Sequence, residues 1–400
     1  MKAALTVLLN STVLLTGFGL VALAGAGGAR SLWETRNAPG GPTPYYFLYK
    51  QLVWLGISLV LGLMAAFADY HRLKTKKWLM PAIFGAVAFL LALTVLPRLH
   101  TSLEAPLRFL TRSIKGSYRW LDFKVIRLQP GELSKLAIVA SLAVWLDKIG
   151  GRVQSLMKGV ICPAGMLVAF AALLVAEPDY GSTMVVCVLG FVLMLYSGVK
   201  LFHVAGLGVA MVAPISALIA LNDNRRQRLL AWLAGNESGD AGSKSQSVYQ
   251  LKQATRAISN GGVSGLGYGE SMQQYLYLPE AHTDFIFAIG AEEWGLWFSA
   301  GTVVLFTAWF CAGIYVATHA SDRLGRLLAF GMAYLVGFQA VFNISVVCGT
   351  VPTKGLALPF MSYGGTNLMT AFIATGVIFG VGWRTMREGR VPGASTIMRI

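Results

Sequence analysis

Apolar residues run along this chain in long blocks, and polar residues collect between the blocks. A segment that crosses a bilayer core needs about 20 mostly apolar residues. Ten blocks approach or exceed that length, at about 5–27, 45–68, 79–97, 133–149, 159–177, 181–199, 201–221, 285–317, 327–350 and 363–384. The pattern predicts an all-α polytopic membrane protein with about ten transmembrane helices. Nothing repeats with a solenoid period, and no second domain separates out, so residues 1–400 read as one integral membrane domain. Two polar connections are long. Residues 98–132 are basic and contain Trp120, and residues 222–284 contain a Gly- and Ser-rich piece from Ala234 to Ser247.

Composition narrows the class. The chain is 55% hydrophobic and only 13% charged, against about 25% charged in an average soluble domain. That excludes a disordered chain, which needs low hydrophobicity. The net charge of +15 has no soluble surface to form a nucleic-acid patch, so no nucleic-acid partner is expected. Lys2 followed by an apolar stretch from about Ala4 to Ala26 suggests a signal peptide or a first helix. The stretch exceeds the roughly 7–15 residues of a signal h-region, which favours a retained helix. Cys162, Cys187, Cys311 and Cys348 all lie in apolar runs and form no ligand spacing. They read as small buried hydrophobes.

Charge also sets orientation. With the N-terminus inside, the inner segments hold 15 of the 33 cations and 4 of the 18 acids. The raw cation count does not decide, because long loops translocate largely regardless of charge. The short outer connections, 28–44, 178–180 and 351–362, contain only Arg30, Arg36 and Lys354. This favours both termini inside, with a cytoplasmic tail at about 385–400. Loops 98–132 and 222–284 are then on the outer face, together with 14 of the 18 acids.

Charges at membrane depth are costly and mark candidate sites. Gly116-Ser117-Tyr118-Arg119-Trp120 precedes Gln129-Pro130-Gly131-Glu132-Leu133-Ser134-Lys135. Glu132 and Lys135 share a helix face at i,i+3. They form either a structural ion pair or a polar track for a charged ligand. Glu177-Pro178-Asp179-Tyr180-Gly181-Ser182-Thr183 is a tight turn whose Asp179 or Ser182 would cap the next helix. In Leu278-Pro279-Glu280-Ala281-His282-Thr283-Asp284-Phe285, Asp284 is a cap or an acid at a cavity mouth. Glu292 and Glu293 follow inside the apolar run, about 12–14 Å deeper at 1.5 Å per residue. Adjacent carboxylates face different sides, so each needs its own partner or a proton. The loop Val351–Thr366 combines glycines, hydroxyls and Lys354 before the last helix, which suits an anion. Arg225, Arg226 and Arg228 read as a headgroup-contacting turn or a phosphate clamp. Together these features suit an anionic, lipid-linked substrate arriving from the bilayer.

The stretch Gln250–Gly295, with QPGELSK at 129–135, EPDYGST at 177–183 and PTKGLALPFMSYGG at 352–365, resembles the SEDS family, the FtsW/RodA/SpoVE group. The resemblance covers nearly the whole chain, and PTKG at 352–355 is most like the FtsW branch. It implies a peptidoglycan glycosyltransferase that polymerises lipid II into β-1,4 glycan strands on the outer face of the cytoplasmic (inner) membrane, at the division septum. It implies a cognate class B penicillin-binding protein transpeptidase, other divisome proteins and membrane lipids as partners. The family's essential acid matches Asp284. Arg119, Trp120, Glu132 and Lys135 match family motifs, with Gly131 where the family usually has Ser. Asp179, Arg225, His282, Lys354 and Ser362 are the further substrate-binding candidates. The family's SYGGSS is SYGGTN here, so Asn367 lacks the last hydroxyl.

As a mechanism, Asp284 would take the proton from the acceptor's C4 hydroxyl. That oxygen attacks the donor's anomeric carbon with inversion, and undecaprenyl diphosphate leaves. A general base contributes about 10²–10⁴-fold. The departing diphosphate needs cations, from Lys135, Arg119, Lys354 or an Arg of 225–228. No cofactor is expected beyond a divalent cation, Mg or Mn, that would assist there. A base of this kind needs an open, hydrated cavity, because burial would hold it neutral. The alternatives are a lipid II flippase, a RodA-like polymerase of elongation and cell shape, or a non-catalytic scaffold.

Overall fold

The computed structural model describes residues 1–36, 41–99, 111, 118–123, 126–220, 246–275, 277–352 and 354–388. Helices occupy every one of the ten apolar blocks. In chain order they are α1 (Lys2–Ala26), α3 (Tyr46–Phe67), α5 (Leu79–Leu99), α6 (Pro130–Ile149), α7 (Cys162–Ala176), α8 (Tyr180–Tyr196), α9 (Leu201–Ala220), α11 (Ile286–His319), α12 (Arg323–Val347) and α13 (Gly365–Glu388). Among the described residues, seven helices are long and apolar enough to cross a membrane, if the turn before α7 is counted with it (Leu156–Ala176). Helix α8 and the apolar part of α9 are shorter, and α6 carries Glu132, Lys135, Asp147 and Lys148.

Among the described residues, three further helices lie between these blocks: α2 (Gly28–Thr35), α4 (Arg72–Thr75) and α10 (Gln246–Gly261). Helix α10 lies in the stretch read as a long polar loop. It buries Leu251, Ala254 and Ala257, one face at helical spacing, and packs on α11.

Local chemistry explains the boundaries. Pro130 opens α6 where its missing N–H costs nothing. Asp179 caps α8 by accepting from the Ser182 N–H, and Asp322 caps α12 through Gly325 N–H at 3.0 Å. The core is Leu, Val, Ala and Phe from most helices. Trp309 is fully buried and donates to Thr12 at 3.0 Å, which ties α11 to α1. Lys135 is also among the largest fully buried side chains.

Helix α11 is interrupted at Gly295, whose φ of 66° is left-handed. A Cβ there would stand 2.5 Å from Gly265 N and 2.6 Å from Val263 O, so only glycine fits. Glu292 and Glu293 lie on the N-terminal side of the break. The 24 residues from Leu296 to His319 rise about 36 Å, enough for the hydrocarbon core. Trp297, at 76% exposure, suits the interfacial end of that span. Glu292 and Glu293 precede it and are covered by residues 260–273.

A short hairpin, β1 (Leu121–Asp122) and β2 (Arg127–Leu128), pairs antiparallel. It sets Arg119 and Trp120 beside the start of α6. At the opposite end of the bundle, Tyr70 donates to Asp322 (2.5 Å) and Arg384 to Asp69 (2.5 Å), which joins α3, α12 and α13. An apolar cavity of about 260 Å³ runs between α5, α6, α12 and α13, from Leu133 past Val87, Met332 and Ile373 to Tyr70.

Candidate functional site

The site gathers at the end of the bundle where α6, α8, α11 and α13 begin. Asp284 stands just before α11 and is partly exposed. Its backbone N–H donates to Glu280 O at 3.2 Å. Its carbonyl accepts from the buried Asn343 side chain at 2.8 Å, and the same Nδ2 donates to Leu356 O at 2.6 Å. Asn343 of α12 thus joins the Asp284 turn to the 352–364 loop. The Asp284 carboxylate then lies against Gly355, where a Cβ would stand 2.3 Å from Oδ2. No signal marked Asn343 in the sequence, where it is one polar residue within an apolar helix.

Lys354 carries the loop across to the second motif. Its Nζ is 5.2 Å from the centre of the Tyr180 ring, and its charge acts on Asp179. Asp179 is buried. Its carboxylate accepts from Ser182 Oγ at 2.7 Å and from Gln129 Nε2 at 3.3 Å. Burial alone would raise its pKa, but Arg119, Lys354, the Ser182 hydrogen bond and Lys135 hold it below the usual carboxylate range. The expected cap and the expected site residue are therefore one group. Gly131 matters here, since a Cβ there would stand 3.1 Å from Asp179 Oδ2. Ser182 supplies the hydroxyl at that oxygen.

Arg119 donates from Nη2 to Pro178 O at 2.8 Å and from Nε to Glu177 O at 3.3 Å. Trp120 is half-buried beside it. Glu177 accepts from Thr94. Its pKa is pushed up to about 9 by burial, raised further by Asp179 and opposed by Arg119. Lys135 donates to Glu132 at 2.6 Å, and both are buried. The i,i+3 ion pair forms, and Lys135 also acts on Asp179.

The remaining candidates shape the walls. The His282 ring stacks on Phe47 with centroids 4.4 Å apart, and its carbonyl accepts from Tyr363 N–H at 3.0 Å. Ser362 is buried, and its hydroxyl accepts from Leu358 N–H at 2.8 Å, holding its own loop. Gln51 of α3 donates to Ser362 O at 3.1 Å. Thr366 accepts from Gln129 N–H at 3.1 Å, and Asn367 donates to Leu358 O at 3.5 Å, so both support the loop without a second hydroxyl. Arg225, with Arg226 and Arg228, lies outside the described residues, as does the Ala234–Ser245 piece. Among the described residues, no three His, Cys, Asp or Glu side chains converge in a way that would hold a metal ion.

The arrangement is a partly exposed acid against Gly355, joined through the Lys354 loop to a buried acid that Arg119, Lys354 and Lys135 act on. It suits proton abstraction next to a bound anion. Comparison with known proteins bears on the family. The FtsW/RodA/SpoVE family, described as cell cycle protein, matches residues 6–386. The probable peptidoglycan glycosyltransferase FtsW of Geobacter sp. (strain M18) is 33% identical over 382 residues, covering 94% of this chain and 96% of that protein. The protein of the same description from Thioalkalivibrio sulfidiphilus is 35% identical over 395 residues, covering 96% and 92%. The crystal structure of the Thermus thermophilus rod shape determining protein RodA superposes with TM-score 0.65 at 25% identity, covering 94% and 95%. A chain from a peptidoglycan synthase complex coordinating polymerization and crosslinking gives 0.67 at 26%, covering 92% and 97%.

Proposed function

This chain belongs to the FtsW/RodA/SpoVE family, and on that premise we propose that it polymerises lipid II during division, with Asp284 as the general base. It is a multi-pass membrane glycosyltransferase of the SEDS type. The division role follows the FtsW name of its curated relatives and PTKG at 352–355. We place both termini in the cytoplasm and all ten helices across the inner membrane, so that the site faces outward.

The carrying observation is the contact of the Asp284 carboxylate with Gly355, next to Lys354. An acid placed there can take the C4 hydroxyl proton as that oxygen attacks the donor's anomeric carbon. Partial exposure leaves the carboxylate open to solvent. Lys354 and Arg119 stabilise the charge that develops on the departing diphosphate. The apolar cavity below Leu133 takes part of the polyprenyl tail. A divalent cation here would be held by the substrate's phosphates, since among the described residues no three His, Cys, Asp or Glu side chains converge. Glu292 and Glu293 were the groups deep enough to suit an alternating-access site. They are instead engaged by residues 260–273, which favours polymerisation over translocation.

The test uses the purified chain, its cognate class B penicillin-binding protein and labelled lipid II. Polymer should form, and Asp284→Asn should abolish it with expression and partner binding retained. Full polymerisation by that variant would overturn the base assignment, and translocation without polymer would overturn the reaction class.

A further inference from the structure

Glu292 lies two turns into α11 with 0% exposure, and among the described residues it has no ion pair. A buried carboxylate in that position needs several donors. Its Oε1 accepts from Asn260 Nδ2 at 3.1 Å, at the end of α10. Its Oε2 accepts from the Ser271 hydroxyl and from Gln273 N–H at 3.2 Å. The neighbouring Glu293 faces another side and accepts from Gly269 N–H at 3.1 Å. The backbone adds Leu266 N–H to Glu292 O (3.0 Å), Gly267 N–H to Glu293 O (2.9 Å) and Leu296 N–H to Gly262 O (3.0 Å). Residues 260–273 are thereby laced along one side of α11, above its break at Gly295.

The segment that leaves this strap is the one that carries Asp284. Gln273 is fixed to Glu292, Leu278 N–H returns to Gln273 O at 3.1 Å, and the chain then reaches His282 and Asp284. Its far end is held by Tyr363 and Asn343. Both ends of a segment of about ten residues are therefore pinned, which removes most of its loop freedom.

We propose that Glu292 is a positioning residue for the reaction, one that holds the Asp284 turn in reach of the acceptor through Ser271 and Gln273. This rests on the reading of Asp284 as the base. Glu292 touches no substrate in this role. Its chemistry is specific, because every partner is a neutral donor. Gln keeps the shape but presents an amide N–H₂ to one of them. The Ser271 hydroxyl and the Asn260 amide can turn to accept, whereas Gln273 N–H cannot, and a neutral amide oxygen accepts less strongly than a carboxylate.

The experiment measures polymerisation kinetics and amide exchange on the full chain with its cognate transpeptidase and labelled lipid II. Glu292→Gln should lower kcat about 10- to 100-fold, the scale of a catalytic group displaced by about 1 Å. KM should stay within about threefold. Amides of 269–284 should exchange about tenfold faster, with those of 296–319 unchanged. A wild-type kcat, or a lowered kcat with unchanged exchange in 269–284, would overturn the proposal. If Glu292→Gln fails to fold, Ser271→Ala decides, since it removes one donor and leaves two. A kcat about 3- to 10-fold down at unchanged KM supports positioning, and a wild-type kcat refutes it. Asp284→Asn, assayed in parallel, separates the two readings. If it stays active, the base assignment fails. If it is dead while Glu292→Gln is unimpaired, only the positioning role fails.

Discussion

Gly355 brings its Cα against the Asp284 carboxylate so closely that a Cβ would stand 2.3 Å from Oδ2. Residues 71 positions apart in the chain thus share one van der Waals surface. Gly355→Ala has no backbone penalty to meet, because Gly355 is not among the positive-φ residues. Its whole effect is steric, on the acid. The variant should express and bind its partner as wild type does, with kcat down at least about 10²-fold. Measurement of polymer formation against membrane-inserted protein checks this, and an active Gly355→Ala would mean that Asp284 works from another position.

Lys354 lies over Tyr180 and acts on Asp179. If it also meets the substrate's diphosphate, Lys354→Ala should raise KM for lipid II about tenfold, the value of roughly 1.4 kcal/mol. The salt dependence of KM should weaken in the same variant, because one screened attraction is gone. Steady-state kinetics at two ionic strengths decides. An unchanged KM with lowered kcat would place Lys354 at the transition state alone.

The long apolar blocks made the ten helices legible, since nothing else in a chain accounts for such runs. The four motifs supplied most of the residues that the candidate site brings together, because each holds an acid or a cation beside a helix start. What joins the motifs was not legible. Asn343 is a lone amide in an apolar helix, and its two carbonyl partners, Asp284 and Leu356, are distant in sequence. Helix α10 was hidden because its buried face is a narrow stripe, Leu251, Ala254 and Ala257, inside polar sequence. The break at Gly295 was not legible because it lies inside a continuous apolar run.

Glu177 gives a pH signature. Its pKa in the fold is about 9, against 4.5 for an ordinary glutamate. Between those values the folded state holds the proton and the unfolded chain has released it. Stability attributable to this group therefore falls as pH rises through that window. Glu177→Gln cannot ionise and removes the slope. The Tm of Glu177→Gln minus that of wild type should grow steadily from about pH 5 to about pH 9. Parallel melting curves across that range would show that Glu177 is charged in the fold.

The Glu132–Lys135 pair separates structure from function. Lys135 is fully buried and its Nζ donates to Glu132 at 2.6 Å. Removing one partner strands a buried charge, which typically costs about 3–5 kcal/mol. Glu132→Ala should therefore fold poorly, and its inactivity alone would say little. Replacing both groups with apolar residues of similar size is often neutral, so Glu132→Leu combined with Lys135→Met should recover the thermal stability lost by Glu132→Ala. Polymerisation should not recover with it. Lys135 adds to Arg119, Lys354 and the Ser182 hydrogen bond in lowering the Asp179 pKa, and without that cation the network beside Lys354 loses a charge that no apolar residue supplies. Melting temperature and polymer yield measured on the same preparations check both halves. Recovery of both together would reduce the pair to a device for burying two charges.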